Sequence, residues 1–341
     1  MVALWAARAA ALQLTVIEQT LHARHRPPPS AWQNVEQPAR LVAAGDALRA
    51  ASLDVDWRRA VDSETTTPEA AVAVLKRVHD LAHLRAVEAM SREGGGGFDS
   101  DTYCAPGSWE AMLDGTRAWV DALALAADAR GPALALCRPA GHHAGRATAM
   151  GFGLVNFACA AASAALDARD GGAAASAARV AVLDWDAHHG NGVAAWARDE
   201  PRVAYCSLHE AGGFPGTGMD EAERGPHGNL LHLPLPKGAG GAAYRAALRE
   251  KALPFLLGRG DAAEPRPRAL LVCAGYDALA GDPLATMALA PDDFGASIEM
   301  IAGEFGFPRE RIALGLEGGY NLDPDVGMPA GLVATCAALV A

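Results

Sequence analysis

Short apolar runs alternate with longer amphipathic stretches through the second half of the chain. Each run is rich in Val, Leu and Ala, as in a strand that is buried on both faces of a sheet. The strand candidates are 133–137, 180–185, 203–208, 269–275 and 312–319, and helical spacing recurs near 154–168, 242–257 and 291–305. This alternation predicts an α/β fold with a mostly parallel central sheet and helices on both faces.

The first part of the chain is less regular. Helices are predicted at 39–51, 70–90 and 109–129, and loops at 24–30, 91–108 and 169–178. Ser108 precedes the third helix in the position of an N-cap. Residues 1–35 form an atypical N-terminal segment without a clear strand. Because no repeat or linker interrupts the pattern, we expect a single domain spanning 1–341.

Composition excludes several classes of protein. The 341 residues are 51% hydrophobic, and the formal net charge is −11. Nucleic acid is a poor partner for such a chain, because phosphate binding needs a basic face. No apolar run reaches the length of a membrane span, and the N-terminal segment lacks the layout of a cleaved signal. The six cysteines are scattered without a CxxC pair, which favours a reducing, cytoplasmic setting.

Polar side chains follow the strand candidates at the points where they end. His142 and His143 follow 133–137, and "DAHHGNG" follows the run at 180–185. Asp277 and Tyr320 come after the last two strand candidates. The carboxyl ends of parallel strands meet at one edge of a sheet, where ligands bind. We therefore expect these side chains to line one crevice.

The residue types in this crevice fit metal-assisted hydrolysis. Asp186 and His188 can supply an oxygen and a nitrogen to one ion, and Asp277 can complete a three-ligand site that leaves a position open for water. His142 and His143 can move protons to and from the reacting groups. Tyr320 can donate a hydrogen bond to a developing oxyanion. Taken singly, each has a plainer explanation as a loop-capping carboxylate or a hydrogen-bonded loop histidine.

The other histidines lack such partners. We interpret them as surface or core residues: His79, His83, His209, His227 and His232. Phe152 and Phe214 lie in glycine-rich contexts and are candidates for the walls of an apolar channel, although core packing is the default for a single phenylalanine.

With these residues placed, the chain resembles the histone deacetylase superfamily in its class II-like bacterial branch. That branch includes histone-deacetylase-like amidohydrolases and acetylpolyamine amidohydrolases. The matching segments run in family order through about residues 70–335: "DTYCAPGSWEA", "RPAGHHAG", "MGFGLVNFACAAA", "VAVLDWDAHHGNG", "SLHEAGGFPGTG", "NLLHLPLPKG", "LLVCAGYDALAGDPL" and "IALGLEGGYNL". The resemblance implies a single-domain arginase/deacetylase-like fold with the active site at the carboxyl ends of the strands.

The resemblance also implies roles for individual residues. The zinc ligands fall on Asp186, His188 and Asp277, the general base and acid on His142 and His143, and the carbonyl-polarising phenol on Tyr320. Asp184 would orient the first histidine, and Asn191 would pair with the second. A structural potassium ion would be bound by Asp184, Asp186, His188, Ser207 and Leu208. The substrate tunnel would be lined by Gly151, Phe152, Phe214, Leu284, Asp101 and Arg40.

The chain departs from the family pattern near its N-terminus and at the tunnel rim. "NVEQPARL" at 34–41 stands where the family has "HPERPERL", so Arg40 matches the arginine at the tunnel foot while the His and the first Pro are missing. The preceding residues do not look like the family's first strand. Either Asp99 or Asp101 matches the acidic residue on the rim. Leu284 stands where polyamine-selective relatives can have a glutamate.

The predicted function is zinc-dependent hydrolysis of the amide of an acylated amine, such as acetyl-lysine in a peptide or protein. An acetylpolyamine or another small acylated amine is the alternative substrate, and homo-oligomers remain open. A ureohydrolase is disfavoured because Gly190 and Gly275 replace two carboxylates that would bind a second metal ion. A catalytically silent acyl-group sensor is the alternative from another class. The complete set of ligands, histidines and tyrosine disfavours the sensor.

Overall fold

Eight parallel strands form one central sheet in the computed structural model, which describes residues 12–28, 34–167, 179–258 and 266–341. The strands are β1 (Leu14–Glu18), β2 (Val55–Arg59), β5 (Ala133–Leu136), β6 (Val180–Asp184), β7 (Val203–Glu210), β8 (Leu230–Leu235), β9 (Ala269–Ala274) and β10 (Ile312–Leu316). Their order across the sheet is β2-β1-β5-β10-β9-β6-β7-β8, and every neighbouring pair is parallel. All carboxyl ends therefore lie along one edge.

Helices cover both faces of the sheet. They are α1 (Ala39–Ala50), α2 (Pro68–Val78), α3 (Leu81–Arg92), α4 (Ser108–Ala127), α5 (Phe157–Asp167), α6 (Asn191–Ala197), α7 (Gly241–Ala247), α8 (Leu253–Leu257), α9 (Pro291–Glu299) and α10 (Met328–Val340). π-Helical turns at Leu248–Ala252 and Met300–Glu304 follow α7 and α9. Alternate strand residues face opposite sides. One face packs against α1 and α7–α10, and the other against α2–α6.

The strand and helix predictions for the second half of the chain are confirmed. β5, β6, β9 and β10 lie within the predicted strands, and β7 extends two residues beyond its predicted end. α5, α8 and α9 lie within the predicted helices, and α7 begins one residue before its predicted start. The central strands are buried along their whole length, which explains why their sequences read as continuous apolar runs.

Five helices and central-sheet strands were not predicted: β1, β2, β8, α6 and α10. The expectation that residues 1–35 hold no clear strand is wrong, because β1 is an interior strand between β2 and β5. β8 contains Pro234, which a strand tolerates at a sheet edge, and β8 is the last strand on its side. β2 forms the opposite edge of the sheet. Its residues are partly buried or exposed, so its charged sequence "VDWRR" lacks the apolar pattern by which a strand is predicted.

Three local predictions need correction. The helix expected at 70–90 divides into α2 and α3, because His79 is extended and its buried ring lies 2.9 Å from the Gly145 carbonyl oxygen. Ser108 is the first residue of α4 and not its N-cap; the cap is Gly107, and Ser108 Oγ accepts from Ala105 N–H. Within the glycine-rich loop, Gly96–Gly97 (β3) pairs with Tyr103–Cys104 (β4).

All six cysteines are buried and none forms a disulfide. Within the described ranges, no helix combines the length and the apolar character needed to cross a bilayer. The interpretations of the first 11 residues and of the loop at 169–178 fall outside the described residues, and so does part of the loop at 24–30.

Candidate active site

Four adjacent strands in the middle of the sheet supply the candidate site. β5, β10, β9 and β6 are neighbours in that order, and polar loops follow each of them. The predicted crevice therefore forms from segments that are far apart in sequence.

Asp186, His188 and Asp277 converge on one point. Their ligand atoms all lie within 4.8 Å of one another. His188 Nδ1 is 3.1 Å from Asp186 Oδ1 and 2.9 Å from Asp277 Oδ2. His188 Nε2 lies 3.4 Å from the Leu284 carbonyl oxygen, which can only accept a hydrogen bond. A hydrogen on Nε2 can therefore be donated to this carbonyl, and Nδ1 is the ring nitrogen that faces both carboxylates.

The two buried carboxyl groups of this cluster favour the binding of a cation. Burial raises the pKa of Asp277, and the charge of Asp186 raises it further. Burial opposes a charge on His188, but Asp277 and Asp186 outweigh it and raise the pKa of the imidazole. A divalent ion bound by two carboxylates and one imidazole would balance these charges. Among the described residues, this is the one group of at least three side chains with metal-ligand geometry.

Backbone N–H groups hold both carboxylates in place. Gly318 N donates to Asp186 Oδ2 at 2.8 Å, and His188 N donates to Asp186 Oδ1 at 2.9 Å. Ala187 N donates to Asp277 Oδ1 at 2.7 Å. Such contacts orient metal-binding groups before an ion arrives.

His142 and His143 lie beside this cluster, each held by a different partner. His142 Nδ1 is 3.0 Å from Asp184 Oδ2, and His143 Nδ1 is 2.8 Å from Asn191 Oδ1. The ring centroids of the two histidines are 4.0 Å apart. Because the amide oxygen of Asn191 only accepts, Nδ1 of His143 carries the hydrogen and Nε2 has a free lone pair.

The two histidines have opposite pKa shifts. Burial disfavours a charge on His142, but the carboxylates of Asp184 and Asp186 outweigh it and raise its pKa to about 10. Burial and the charges of His142 and His188 lower the pKa of His143 well below its ordinary value. His142 is therefore the charged member of the pair and His143 the neutral one, which suits His143 to accept a proton.

Tyr320 closes another side of the site. Its ring centroid is 5.6 Å from that of Phe152, and the Arg40 guanidinium lies over the ring at 4.7 Å. Burial raises the pKa of Tyr320 far above its ordinary value, so the hydroxyl keeps its proton as a donor. The backbone N–H of Tyr320 donates to Asp282 Oδ2 at 2.8 Å.

Aromatic rings flank the approach to the histidines. The Phe214 ring lies edge-on to His143 with centroids 4.9 Å apart, and Phe214 is 48% exposed. Gly151 lies directly against His143, since a Cβ at that glycine would be 2.4 Å from the ring. Leu284 is 41% exposed beside His188. Phe214 and Gly151 therefore lie beside His143, and Leu284 lies beside His188. Their role as tunnel walls stays a prediction.

The two rim carboxylates differ in their contacts. Asp99 accepts from the backbone N–H groups of Asp101 and Thr102 and from the Thr102 hydroxyl. Thr102 Oγ1 in turn accepts from Phe152 N at 3.1 Å, so Asp99 supports the loop that carries Phe152. Asp101 is exposed, and within the described part of the chain its carboxylate has no hydrogen-bond partner. Asp101 is the rim residue with a free acceptor.

A buried ionic network underlies the site where the chain departs from the family pattern. Arg40 Nε donates to the Gly319 carbonyl at 2.8 Å, and Arg40 Nη1 donates to Glu36 at 3.2 Å. Arg138 Nε also donates to Glu36, at 2.8 Å, and its other nitrogens contact Glu36, Tyr103 and the His25 carbonyl. Glu36, which matches the first Glu of the family pattern, thus carries a charge shared between two arginines.

Three of the five predicted potassium ligands lie on the adjoining strands β6 and β7, and Asp186 and His188 follow β6. Asp184 and Ser207 are paired across β6 and β7, and Leu208 follows Ser207. Asp184 Oδ2 also accepts from the Tyr205 hydroxyl at 2.9 Å. The set Asp184, Asp186, His188, Ser207 and Leu208 stays a prediction.

Sequence reasoning missed several residues that support the site. Glu317, Asp282 and Tyr205 are buried and contact its loops or side chains, yet each reads in the sequence as an ordinary strand or turn residue. The available signal was that each lies two or three positions before a predicted site residue in the sequence. His189 was also overlooked; its ring nitrogens lie 2.8 Å from Thr217 Oγ1 and 3.0 Å from His232 Nδ1.

The histidines outside the site have the plain roles expected of them. His79, His83, His209 and His232 are buried, and His227 is exposed. His209 Nε2 donates to the Gly218 carbonyl at 3.0 Å, which ties the Phe214 loop to the sheet.

The glycines that replace ureohydrolase carboxylates leave no room for a side chain. A Cβ at Gly190 would be 2.1 Å from Asp184 Oδ2, and one at Gly275 would be 2.1 Å from Asp186 Oδ2. A second carboxylate therefore cannot enter from either position without displacing a residue of the site.

Comparison with known proteins agrees with this geometry. The histone deacetylase domain matches residues 34–332. An uncharacterized protein of Synechocystis sp. is 40% identical over 84% of this chain and 88% of its own length. The histone deacetylase-like amidohydrolase of Pseudomonas aeruginosa is 37% identical over 79% of this chain and 69% of its own length. The crystal structure of the HDA15 HD domain superposes with a TM-score of 0.81 at 29% identity, covering 97% of this chain and 88% of that one.

Proposed function

We propose that this chain, which belongs to the histone deacetylase family, is a zinc-dependent deacylase that hydrolyses the amide of an acylated amine such as acetyl-lysine. The observation that carries the proposal is the arrangement of Asp186, His188 and Asp277 around one point, with two histidines beside it. Burial raises the pKa of Tyr320, which lies near enough for the charges of Asp277 and Asp186 to raise it further. A family member that kept only the fold would have no reason to keep all these groups together.

Two carboxylates and one imidazole suit zinc, and three protein ligands leave a position for water or substrate. Bound zinc would polarise the substrate carbonyl and lower the pKa of a water molecule. The residues around the ion do the remaining work. Gly318 and Ala187 fix the carboxylates through their N–H groups, so the ligands need little rearrangement to bind.

Proton transfer falls to the histidine pair. His143 is neutral, and its Nε2 lone pair can take the proton of the attacking water. Once protonated, His143 can deliver that proton to the nitrogen of the departing amine. His142 stays charged through Asp184 and favours the build-up of negative charge on the attacked carbonyl oxygen. Asn191 keeps the His143 ring in the required tautomer.

Tyr320 would donate its hydroxyl hydrogen to the same carbonyl oxygen as it becomes negative. Its ring is held between Phe152 and the Arg40 guanidinium, so the hydroxyl is positioned before substrate binds. Phe152 and Phe214 would enclose the alkyl chain of the substrate, because the Phe214 ring lies beside His143 and the Phe152 ring lies beside Tyr320.

The rim favours an acyl-lysine side chain over a polycationic acetylpolyamine. Leu284 and Phe214 present apolar surface, which cannot replace the hydration of additional ammonium groups. The exposed carboxylate of Asp101 would accept a hydrogen bond from a peptide N–H at the rim. Acetylpolyamine hydrolysis by the same mechanism is the second candidate, favoured by the acidic net charge. The buried thiols fit the reducing cytoplasm, and a structural potassium ion at Asp184 remains part of the proposal.

A hydrolysis screen tests the proposal. Metal-quantified protein is assayed on acyl-lysine peptides, acetylpolyamines, small aliphatic amides and guanidino compounds, with Asp277→Asn as the matched control. We expect turnover of acyl-lysine peptides that the control lacks. Turnover restricted to acetylpolyamines would select the second candidate. Zinc binding without turnover of any amide would instead identify an acyl-group sensor and refute the enzyme assignment.

A further inference from the structure

Glu317 is a fully buried carboxyl group that follows β10 and faces the loop after the adjacent strand β5. Its Oε2 accepts from Gly141 N at 2.6 Å and from His142 N at 3.2 Å. These are two successive N–H groups in the loop that carries the histidine pair. From this geometry we propose that Glu317 is a positioning residue for His142 and His143 in amide hydrolysis, an inference that rests on the proposed function.

Two bonds from one carboxyl oxygen fix the orientation of successive peptide groups. Such an arrangement restrains the backbone on both sides of the Cα of Gly141. It therefore also restrains the direction in which the His142 side chain points. His142 must meet Asp184 at 3.0 Å, and the next residue, His143, must meet Asn191 at 2.8 Å. A small rotation of the loop would disturb both contacts together.

The same short segment also fixes the opposite side of the site. The backbone carbonyl of Glu317 accepts from Arg40, which lies over Tyr320. The next residue, Gly318, donates its N–H to Asp186. Glu317 and its neighbour Gly318 therefore contact three parts of the site: the histidine loop, the predicted metal ligand Asp186, and Arg40, which lies over Tyr320. These contacts fix the positions of the three parts relative to one another.

A matched carboxyl group elsewhere allows this role to be separated from ordinary stabilisation. Asp114 is also buried, and its Oδ2 accepts from two successive N–H groups, Thr20 at 2.7 Å and Leu21 at 2.9 Å. In both residues the second carboxyl oxygen is buried without a hydrogen-bond partner among the described residues. Asp114 supports the loop after β1 and contacts neither histidine. Its removal should cost comparable stability without moving the site.

Different substitutions of Glu317 distinguish a role that depends on its position from a role that depends on its charge. Glutamine keeps the length and an acceptor oxygen, whereas aspartate keeps the carboxylate but withdraws it by about 1.5 Å, one carbon–carbon bond. Burial raises the pKa of Glu317 to about 8, so a neutral amide is also close to its state at neutral pH. A positioning role predicts the activity order Glu, Gln, Asp, Ala. A role through charge alone predicts that Asp resembles Glu and that Gln does not.

The experiment measures kcat and KM for the full chain at equal metal content. For Glu317→Ala we expect kcat to fall about 10- to 100-fold with KM little changed, because misplacement of reacting groups by about 1 Å costs up to about 100-fold. Glu317→Gln should restore most of this loss. Asp114→Ala should leave kcat unchanged. An unchanged kcat in Glu317→Ala, equal losses in the two alanine variants, or the charge order would each overturn the proposal.

A second readout does not depend on turnover. In protein with ¹⁵N-labelled histidine, the Nδ1–H signals of His142 and His143 report their contacts with Asp184 and Asn191. We expect both signals to move in Glu317→Asp, which keeps a buried carboxylate if the alanine variant fails to fold, and to stay in place in Glu317→Gln. Unmoved signals in Glu317→Asp would overturn the proposal. If the wild-type chain hydrolyses no amide, the proposed function fails and this measurement still decides whether Glu317 positions the loop.

Discussion

Replacing Glu36 with glutamine tests the ionic network under the site. Glu36 is fully buried between Arg138 and Arg40. Burial alone would raise the pKa of this carboxyl group, but the charge and hydrogen bonds of Arg138 and the charge of Arg40 outweigh it and lower the pKa to about 2 from an ordinary 4.5. A shift of this size corresponds to about 3 kcal/mol of stability at neutral pH.

The sign of the pH dependence follows from the direction of the shift. A carboxyl group with a depressed pKa stabilises the folded state fully above its unfolded pKa, and this contribution is lost as the pH falls through 4.5 towards 2. About 2 kcal/mol of it is gone by pH 3. Glu36→Gln lacks the titrating group, so its deficit relative to wild type should be largest at pH 7 and should shrink by that amount at pH 3.

Urea unfolding followed by tryptophan fluorescence at several pH values measures this difference. Glu221→Gln is the matched control, because Glu221 pairs with Lys251 at an exposed position where an ion pair contributes at most about 1 kcal/mol. Its deficit should stay small at every pH. A Glu36→Gln deficit that is the same at pH 7 and pH 3 would refute the assignment of the charge to Glu36.

Three further predictions concern the site itself. Tyr320→Phe should lower kcat by about 10²–10³-fold with little change in KM, as for loss of other oxyanion donors, and undiminished turnover would contradict the role of its hydroxyl. Gly275→Ala places a Cβ 2.1 Å from Asp186 Oδ2, so competition with a chelator should show metal affinity reduced about 10- to 100-fold; unchanged affinity would contradict the tight packing. Asp282→Ala removes the acceptor for the N–H groups of Tyr320 and Leu284 and should lower kcat about 10-fold or more, whereas Asp282→Asn should retain more activity; equal activity in both would count against a positioning role.

The strands at the centre of the sheet, and the polar residues that follow them, could be predicted from the sequence. Asp186, His188 and Asp277 could be predicted because each comes directly after a buried apolar run, and parallel strands bring such positions to one edge. The same logic failed for β1, whose five residues lie in an irregular N-terminal context, and for β8, whose proline is tolerated at the sheet edge.

Residues that act through distant partners could not be read in the same way. Glu36 and Arg138 are 102 positions apart, and Glu317 and Gly141 are 176 apart. The role of a buried charged residue can be inferred only when its contact partner is known. Neither the periodicity of the sequence nor a local motif identifies a partner so far away along the chain. The choice between Asp99 and Asp101 likewise needed the contacts of Thr102.

The metal content of the purified chain tests the central claim most directly. Elemental analysis of wild type, His188→Ala and Asp277→Asn is compared with Asp101→Asn, a rim substitution outside the ligand set. We predict one divalent ion per chain in the wild type and the rim variant and its loss from both ligand variants. Two ions per wild-type chain, or an ion retained by His188→Ala and Asp277→Asn, would contradict the site described above.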